Sequence, residues 1–248
     1  MRRVLAFLVC LLIPAQAFAA AAHRSDSATT YASRTNTTCT APAGIADGDV
    51  LLIVFDIAAA TSAPTPTAPS GFVAVSGTYP INILDSSNFN VGVYVWYKIA
   101  SGEAGNYTVT HSTASSQCYM KAVSGGSSSQ PASTTNSGSS SPTVALTITP
   151  AGNDALVMFV SSDWADTANA LSPPTGTTPT FTERLDTSVT AGLLYVADGV
   201  LATAGATGNK SITNNSGVNG MWGGVLVVVE ASGGAAAETF GFRKRLPQ

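Results

Sequence analysis

The chain predicts an all-β fold, a jelly-roll-like antiparallel β-sandwich built from two pseudo-repeats, and three observations carry that prediction. One apolar segment occurs twice: Gly48-Asp49-Val50-Leu51-Leu52-Ile53-Val54-Phe55 is echoed by Asn153-Asp154-Ala155-Leu156-Val157-Met158-Phe159-Val160. Short β-branched and aromatic runs alternate with Gly, Pro and Asn turns at sandwich spacing. No segment sustains a 3.6-residue apolar period over three turns, so helix candidates are nearly absent.

The opening residues stand apart from this pattern. Met1-Arg2-Arg3 is a positive n-region, Val4 to Ile13 an unbroken apolar run, and Ala17-Phe18-Ala19 a small-residue cleavage signal. This is the layout of a secretory signal peptide over residues 1–19. The apolar run is too short to cross a bilayer comfortably, and no later segment could span one. The expected location is therefore secreted or at the cell surface, with no membrane span after cleavage.

Residues 20–34 are polar and patternless, and read as a flexible leader or a short edge strand. Residues 35–232 form the sandwich. Thr35 to Thr40 is a Thr-rich strand, and Val50 to Ala58 is apolar on both faces, as in mid-sheet. Pro64, Pro66 and Pro69 mark a loop, because proline cannot donate to a ladder. Gly71 to Ser76 and Asn82 to Leu84 are short strands. Val91 to Ile99 is the clearest strand, with Val91, Val93, Val95, Tyr97 and Ile99 on one face and Gly92, Tyr94, Trp96 and Lys98 on the other. Tyr107 to His111 and Gln117 to Val123 complete the first copy, residues 41–125.

A Ser/Gly-rich connector, 126–142, precedes the second copy, 143–231. There Thr143 to Thr149, Ala155 to Ser162, Thr180 to Leu185, Gly192 to Val200, Lys210 to Asn214 and Trp222 to Glu230 read as strands. The expected arrangement is one domain with interleaved halves, the alternative being two small sandwiches side by side. Residues 233–248 are a linker and a basic tail. Phe240, Phe242, Arg243, Lys244 and Arg245 read either as a frayed terminus or as a peptide that docks on an acidic partner such as another copy.

Only 10% of the residues are charged, against about 25% in a typical globular chain. From Ala20 to Thr239 six basic residues face fourteen acidic ones, a net of −8. An acidic body repels phosphates, so nucleic acid is not an expected partner. After export two cysteines remain, Cys39 and Cys118. They read as a disulfide of an oxidising compartment or as two separate buried thiols.

The order Pro69-Ser70-Gly71-Phe72, Val93-Tyr94-Val95-Trp96-Tyr97-Lys98-Ile99-Ala100 and Tyr107-Thr108-Val109, with the opening Ala46-Asp47-Gly48-Asp49-Val50-Leu51-Leu52, resembles a β-sandwich module of phage virion proteins (tail and decoration components) and exported bacterial surface proteins. The likeness spans residues 41–231 and is structural. It implies no catalytic residues. A signal peptide shifts the weight towards a surface protein.

Catalytic chemistry has few footholds. His23 and His111 are the two histidines, and no Gly-x-Ser-x-Gly elbow accompanies His111, which reads as a surface strand residue. No phosphate loop, cofactor signature or metal-ligand spacing is present. Asp47-Gly48-Asp49 lacks the spacing of a calcium loop, and the echo in Asn153-Asp154 gives it a turn role. Ligand-binding candidates are Asp163, Trp164 and Asp166, where an aromatic beside acids suits a sugar, and the Tyr94-Trp96-Lys98 face, a stacking platform if outward and core if inward. Trp222 reads as core. The leading function is a non-catalytic exported structural or adhesion module that contacts other subunits or itself. A carbohydrate-binding module is the alternative, and a glycan-active hydrolase the third reading.

Overall fold

The structure is a computed structural model that describes residues 19–59, 63–77, 79–84, 90–138, 143–163, 172–174, 178–189, 192–212 and 222–233. The signal-peptide segment up to residue 18, Trp164, Asp166 and the tail from residue 234 lie outside the described residues.

The first half of the chain, which extends before the first copy, supplies β1 (Ala22–Ala28), β2 (Ala32–Cys39), β3 (Val50–Ala59), β4 (Val73–Ala74), β5 (Ile81–Leu84), β6 (Asn90–Ile99) and β7 (Tyr107–Ser124). The second supplies β8 (Ala132–Gly138), β9 (Thr143–Ala145), β10 (Ala155–Asp163), β11 (Thr182–Val189), β12 (Gly192–Leu201), β13 (Lys210–Ile212) and β14 (Trp222–Val229). Every pairing among these strands is antiparallel.

The halves do not interleave. Sheet one runs β1-β7-β3-β6-β4, with β2 also on β7 and β5 also on β6; sheet two runs β8-β14-β10-β12-β11. The two orders are the same plan executed twice, with β1, β7, β3, β6 and β5 answered by β8, β14, β10, β12 and β11. The likeness reaches into the turns. The Asn106 side-chain carbonyl accepts from the Ala41 amide at 2.9 Å, and Asn209 does the same for Thr147 at 3.0 Å. Asp47 accepts from Gly102 N at 2.7 Å, and Asn153 from Ala204 N at 2.8 Å.

The echo read from sequence is one residue out of register. It matches Phe55 with Val160, yet Phe55 lies in the outer cluster of sheet one and Val160 in the core between the sheets. The counterpart of Phe55 is Ser161, by the same offset that sets Asp47 against Asn153 and Gly48 against Asp154, the latter two both of positive φ. Side chains alternate with a period of two, so a slip of one residue swaps every face.

Three apolar layers result. The inner faces meet in a shared core of Val50, Leu52, Val54, Val91, Val93 and Val95 from sheet one and Leu156, Met158, Val160, Leu194, Val196, Val225 and Val227 from sheet two. The outer face of sheet one, with Leu51, Ile53, Phe55 and Trp96, is covered by Cys39, Val109 and Ala114 of the β2–β7 arm. The outer face of sheet two, with Val157, Phe159, Tyr195 and Leu226, is covered by Ala145 and Ile212 of the small β9–β13 sheet. This explains why β3 and β10 are apolar on both sides.

Residues 22–28 form edge strand β1, the second of the two readings given for that segment, whereas residues 132–138, within the expected connector, form edge strand β8. An edge strand needs one hydrogen-bonding neighbour and few apolar side chains, so Ser- and Thr-rich segments suffice. Tyr107–His111 and Gln117–Val123 are one strand, β7, of 18 residues. Its first half pairs with β2, and the register breaks between Arg34 and Asn36, which face Ala114 and Thr110. The extra residues of β7 there turn the arm back over the sheet.

Candidate functional site

The largest convergence of polar chemistry lies where β1 and β7 of sheet one meet β11 and β12 of sheet two. Lys121, fully buried in the apolar run of β7, sits against the Asp198 carboxylate of β12. The Arg184 guanidinium of β11 binds the same carboxylate in two-pronged fashion, with Nε and Nη2 each at 3.0 Å. Lys121 Nζ is also 2.6 Å from His23 Nδ1 on β1. The Tyr119 hydroxyl donates to Asp26 at 3.1 Å.

The electrostatics follow from this packing. Burial opposes ionisation of Asp198, but hydrogen bonds from Arg184 and Lys121 and their charges outweigh it and hold the carboxyl below its ordinary range. Burial draws the Lys121 ammonium down, with Asp198 acting against the fall. His23 is lowered by burial first, then by Lys121 and Arg184, so it faces Lys121 as a neutral acceptor. Two cations and two carboxylates thus meet around a neutral imidazole. The arrangement clamps one sheet onto the other.

A second polar contact crosses the same interface further along. Asp56 of β3 accepts from Ser162 Oγ of β10 at 3.3 Å, and Gln117 of β7 hydrogen-bonds Thr187 of β11 at 3.2 Å. Burial raises Asp56 to about 7, with the Ser162 and Ile57 hydrogen bonds acting against the rise. Its Oδ2 atom is buried without a hydrogen-bond partner, which favours the protonated acid.

The residues named from sequence fall as follows. Tyr94 and Trp96 are 7% and 6% exposed and stack at a centroid distance of 5.4 Å beneath the β2–β7 arm. They are core, and that face offers no open platform. Lys98 Nζ binds Glu103 at 2.7 Å and lies 5.6 Å from the Tyr107 ring, tying β6 to the turn before β7. Asp163 ends β10 and is paired through its backbone with Leu193 and Trp222. Trp222 is 5% exposed and is core. Cys39 and Cys118 form a disulfide across a Cα–Cα distance of 5.5 Å.

His111 is not a surface residue. It is 7% exposed at the bend of β7, 5.6 Å from the Phe55 ring. Its Nδ1 donates to the Ser112 carbonyl at 2.7 Å, which leaves Nε2 to accept from Thr37 Oγ1 at 2.9 Å. Ser116 Oγ is 2.6 Å from Thr37 Oγ1 and fully buried, so this Ser-His pair is closed to a substrate and organises the bend. Asp49 holds Arg24 Nε at 2.6 Å and the Ala46 amide at 2.9 Å, so it works as a turn clamp. Among the described residues no group of three or more His, Cys, Asp or Glu gathers for a metal. A cavity of about 340 Å³ opens beside Gly152 and Gly233, where both Glu230 carboxylate oxygens accept backbone amides of Ala151 and Gly152.

Sequence reasoning missed the seam cluster. Its signal was present in Lys121 inside the apolar run of β7 and Asp198 inside that of β12, each a lone charge needing a partner of the opposite sign. Comparison with family models, curated proteins and solved structures finds no match.

Proposed function

We propose that this chain is a non-catalytic exported module of structural or adhesive type, a subunit of a surface or virion-like assembly that acts through its surfaces. One observation carries the reading: the polar constellations among the described residues, at Lys121–Asp198–Arg184, at Asp56–Ser162 and at His111–Thr37–Ser116, are buried cross-links within the fold. A catalytic site needs convergent groups that a substrate can reach. Here such groups instead stiffen a layered sandwich whose halves are joined by a shared core. The disulfide agrees with the exported location inferred from the leader, since such bridges persist in oxidising compartments.

The test is to purify the chain from Ala20 onward and measure its mass by light scattering over a wide concentration range, beside a glycan array and a panel of polysaccharide and ester substrates. The expected result is concentration-dependent assembly without turnover. Turnover of any substrate, or glycan capture by a protein that stays monomeric, would overturn the reading in favour of a hydrolase or a carbohydrate-binding module.

A further inference from the structure

Resting on that reading, we propose that the outer edge of β11 receives the C-terminal tail of a second copy as an added antiparallel strand. Among the described residues β11 pairs only with β12, so none of them occupies its other backbone edge. Such an edge is a template for another strand.

The two sides of β11 differ in chemistry. Residues directly opposite in a ladder point to the same face. Leu185 lies opposite Val196 and Thr187 opposite Leu194, both partners belonging to the core between the sheets. Glu183 lies opposite Ala197 and Asp186 opposite Tyr195, both of the outer cluster. The edge therefore presents Leu185, with Thr187 beside it, towards the seam and a carboxylate side towards the outer face.

The tail carries the complementary alternation. In an extended chain Phe240 and Phe242 share one face, and Arg243 and Arg245 share the other. Seated on β11, the phenylalanines meet the Leu185 side and the arginines the Glu183–Asp186 side. Opposite charges across a strand pair are favourable, and the net −8 of the body otherwise repels a neighbouring copy.

The chain's own tail approaches this edge from the wrong end for antiparallel pairing. The described chain ends at Gly233, just beyond β14, and β10 and β12 separate β14 from β11. Residue 229 of β14 faces residue 156 near the start of β10, and β11 begins towards that same end. A tail arriving from there would run parallel to β11, the weaker pairing. A neighbour's tail is free to run antiparallel.

The experiment uses the full mature chain and its Phe240→Ala/Phe242→Ala variant, compared by light scattering. A synthetic peptide of residues 234–248 is then titrated into that variant, with amide spectra recorded. We expect the variant to lose the assembly, the peptide to bind with shifts centred on residues 182–189, and Glu183→Lys/Asp186→Lys to weaken peptide binding at least tenfold while thermal unfolding stays cooperative. Peptide changes leave the folded body untouched, so Arg243→Glu/Arg245→Glu in the peptide, also expected to weaken binding at least tenfold, is the check if the edge variant misfolds. A peptide that fails to bind while the full chain still assembles overturns this site and leaves the structural reading standing. A full chain that stays monomeric and excludes added peptide, while the alanine variant binds it, shows the edge occupied by its own tail and overturns the second copy as donor.

Discussion

Lys121 and Asp198 show how a few residues set the conditions for the whole seam. Removing Asp198 leaves the Lys121 ammonium and the Arg184 guanidinium without their shared carboxylate in a buried place. Asp198→Ala is expected to cost about 3–5 kcal/mol in urea unfolding, the usual penalty for an orphaned buried charge. Lys121→Met leaves Arg184 on Asp198 and should cost less than half as much; equal losses would contradict the assigned roles. Asp56 makes the pH dependence testable. Its folded pKa of about 7 lies above the reference value of 3.8, so the folded state binds the proton more tightly. Its penalty is absent below pH 4, grows as pH rises, and is complete above pH 7. The shift corresponds to roughly 4 kcal/mol. His23, lowered by burial, acts in the opposite sense and destabilises below its ordinary range. The difference between wild type and Asp56→Asn isolates the carboxyl. Wild type should lose stability relative to the variant between pH 4 and pH 7, and parallel stability curves would show that Asp56 ionises freely.

At the scale of elements the disulfide decides whether the β2–β7 arm stays down. It joins residues 79 apart, a loop whose closure is worth about 4 kcal/mol in the chain-entropy view. Replacing both cysteines with serine should lower stability by about that amount. Hydrogen exchange should then rise in residues 32–39 and 107–114 while β10, β12 and β14 keep their protection. Uniform loss across both sheets would contradict a local staple. Gly199 supplies a sharper local check. A Cβ there would lie 2.2 Å from the Thr180 carbonyl oxygen, so Gly199→Ala should loosen the β11–β12 pair and cost about 1–3 kcal/mol by overpacking. Much of this level was legible in the sequence. The alternation of Val91 to Ile99 placed Tyr94 and Trp96 on the opposite face from the valines, and the structure keeps that division. Edge strand β8 escaped notice, and β1 was legible only as one of two readings, because polar strands lack the apolar signal on which periodicity depends. The repeat was visible, but its register was not: in a run as uniformly apolar as Val50 to Phe55 either face reads as core.

On the scale of the whole molecule, one strand plan is used twice and the copies lean on each other. The sequence could show the duplication but not the seam. Lys121 and Asp198 are 77 residues apart and become neighbours only when sheet one is laid on sheet two. Asn106 and Asn209, present in both copies, clamp equivalent turns, whereas the disulfide and the charged seam occur once. The two repeats make a single folding unit through the core they share. Differential scanning calorimetry of the oxidised mature chain tests it most directly. One transition, with equal calorimetric and van't Hoff enthalpies, is the expected result. Two resolved transitions, each surviving when the other repeat has melted, would contradict it.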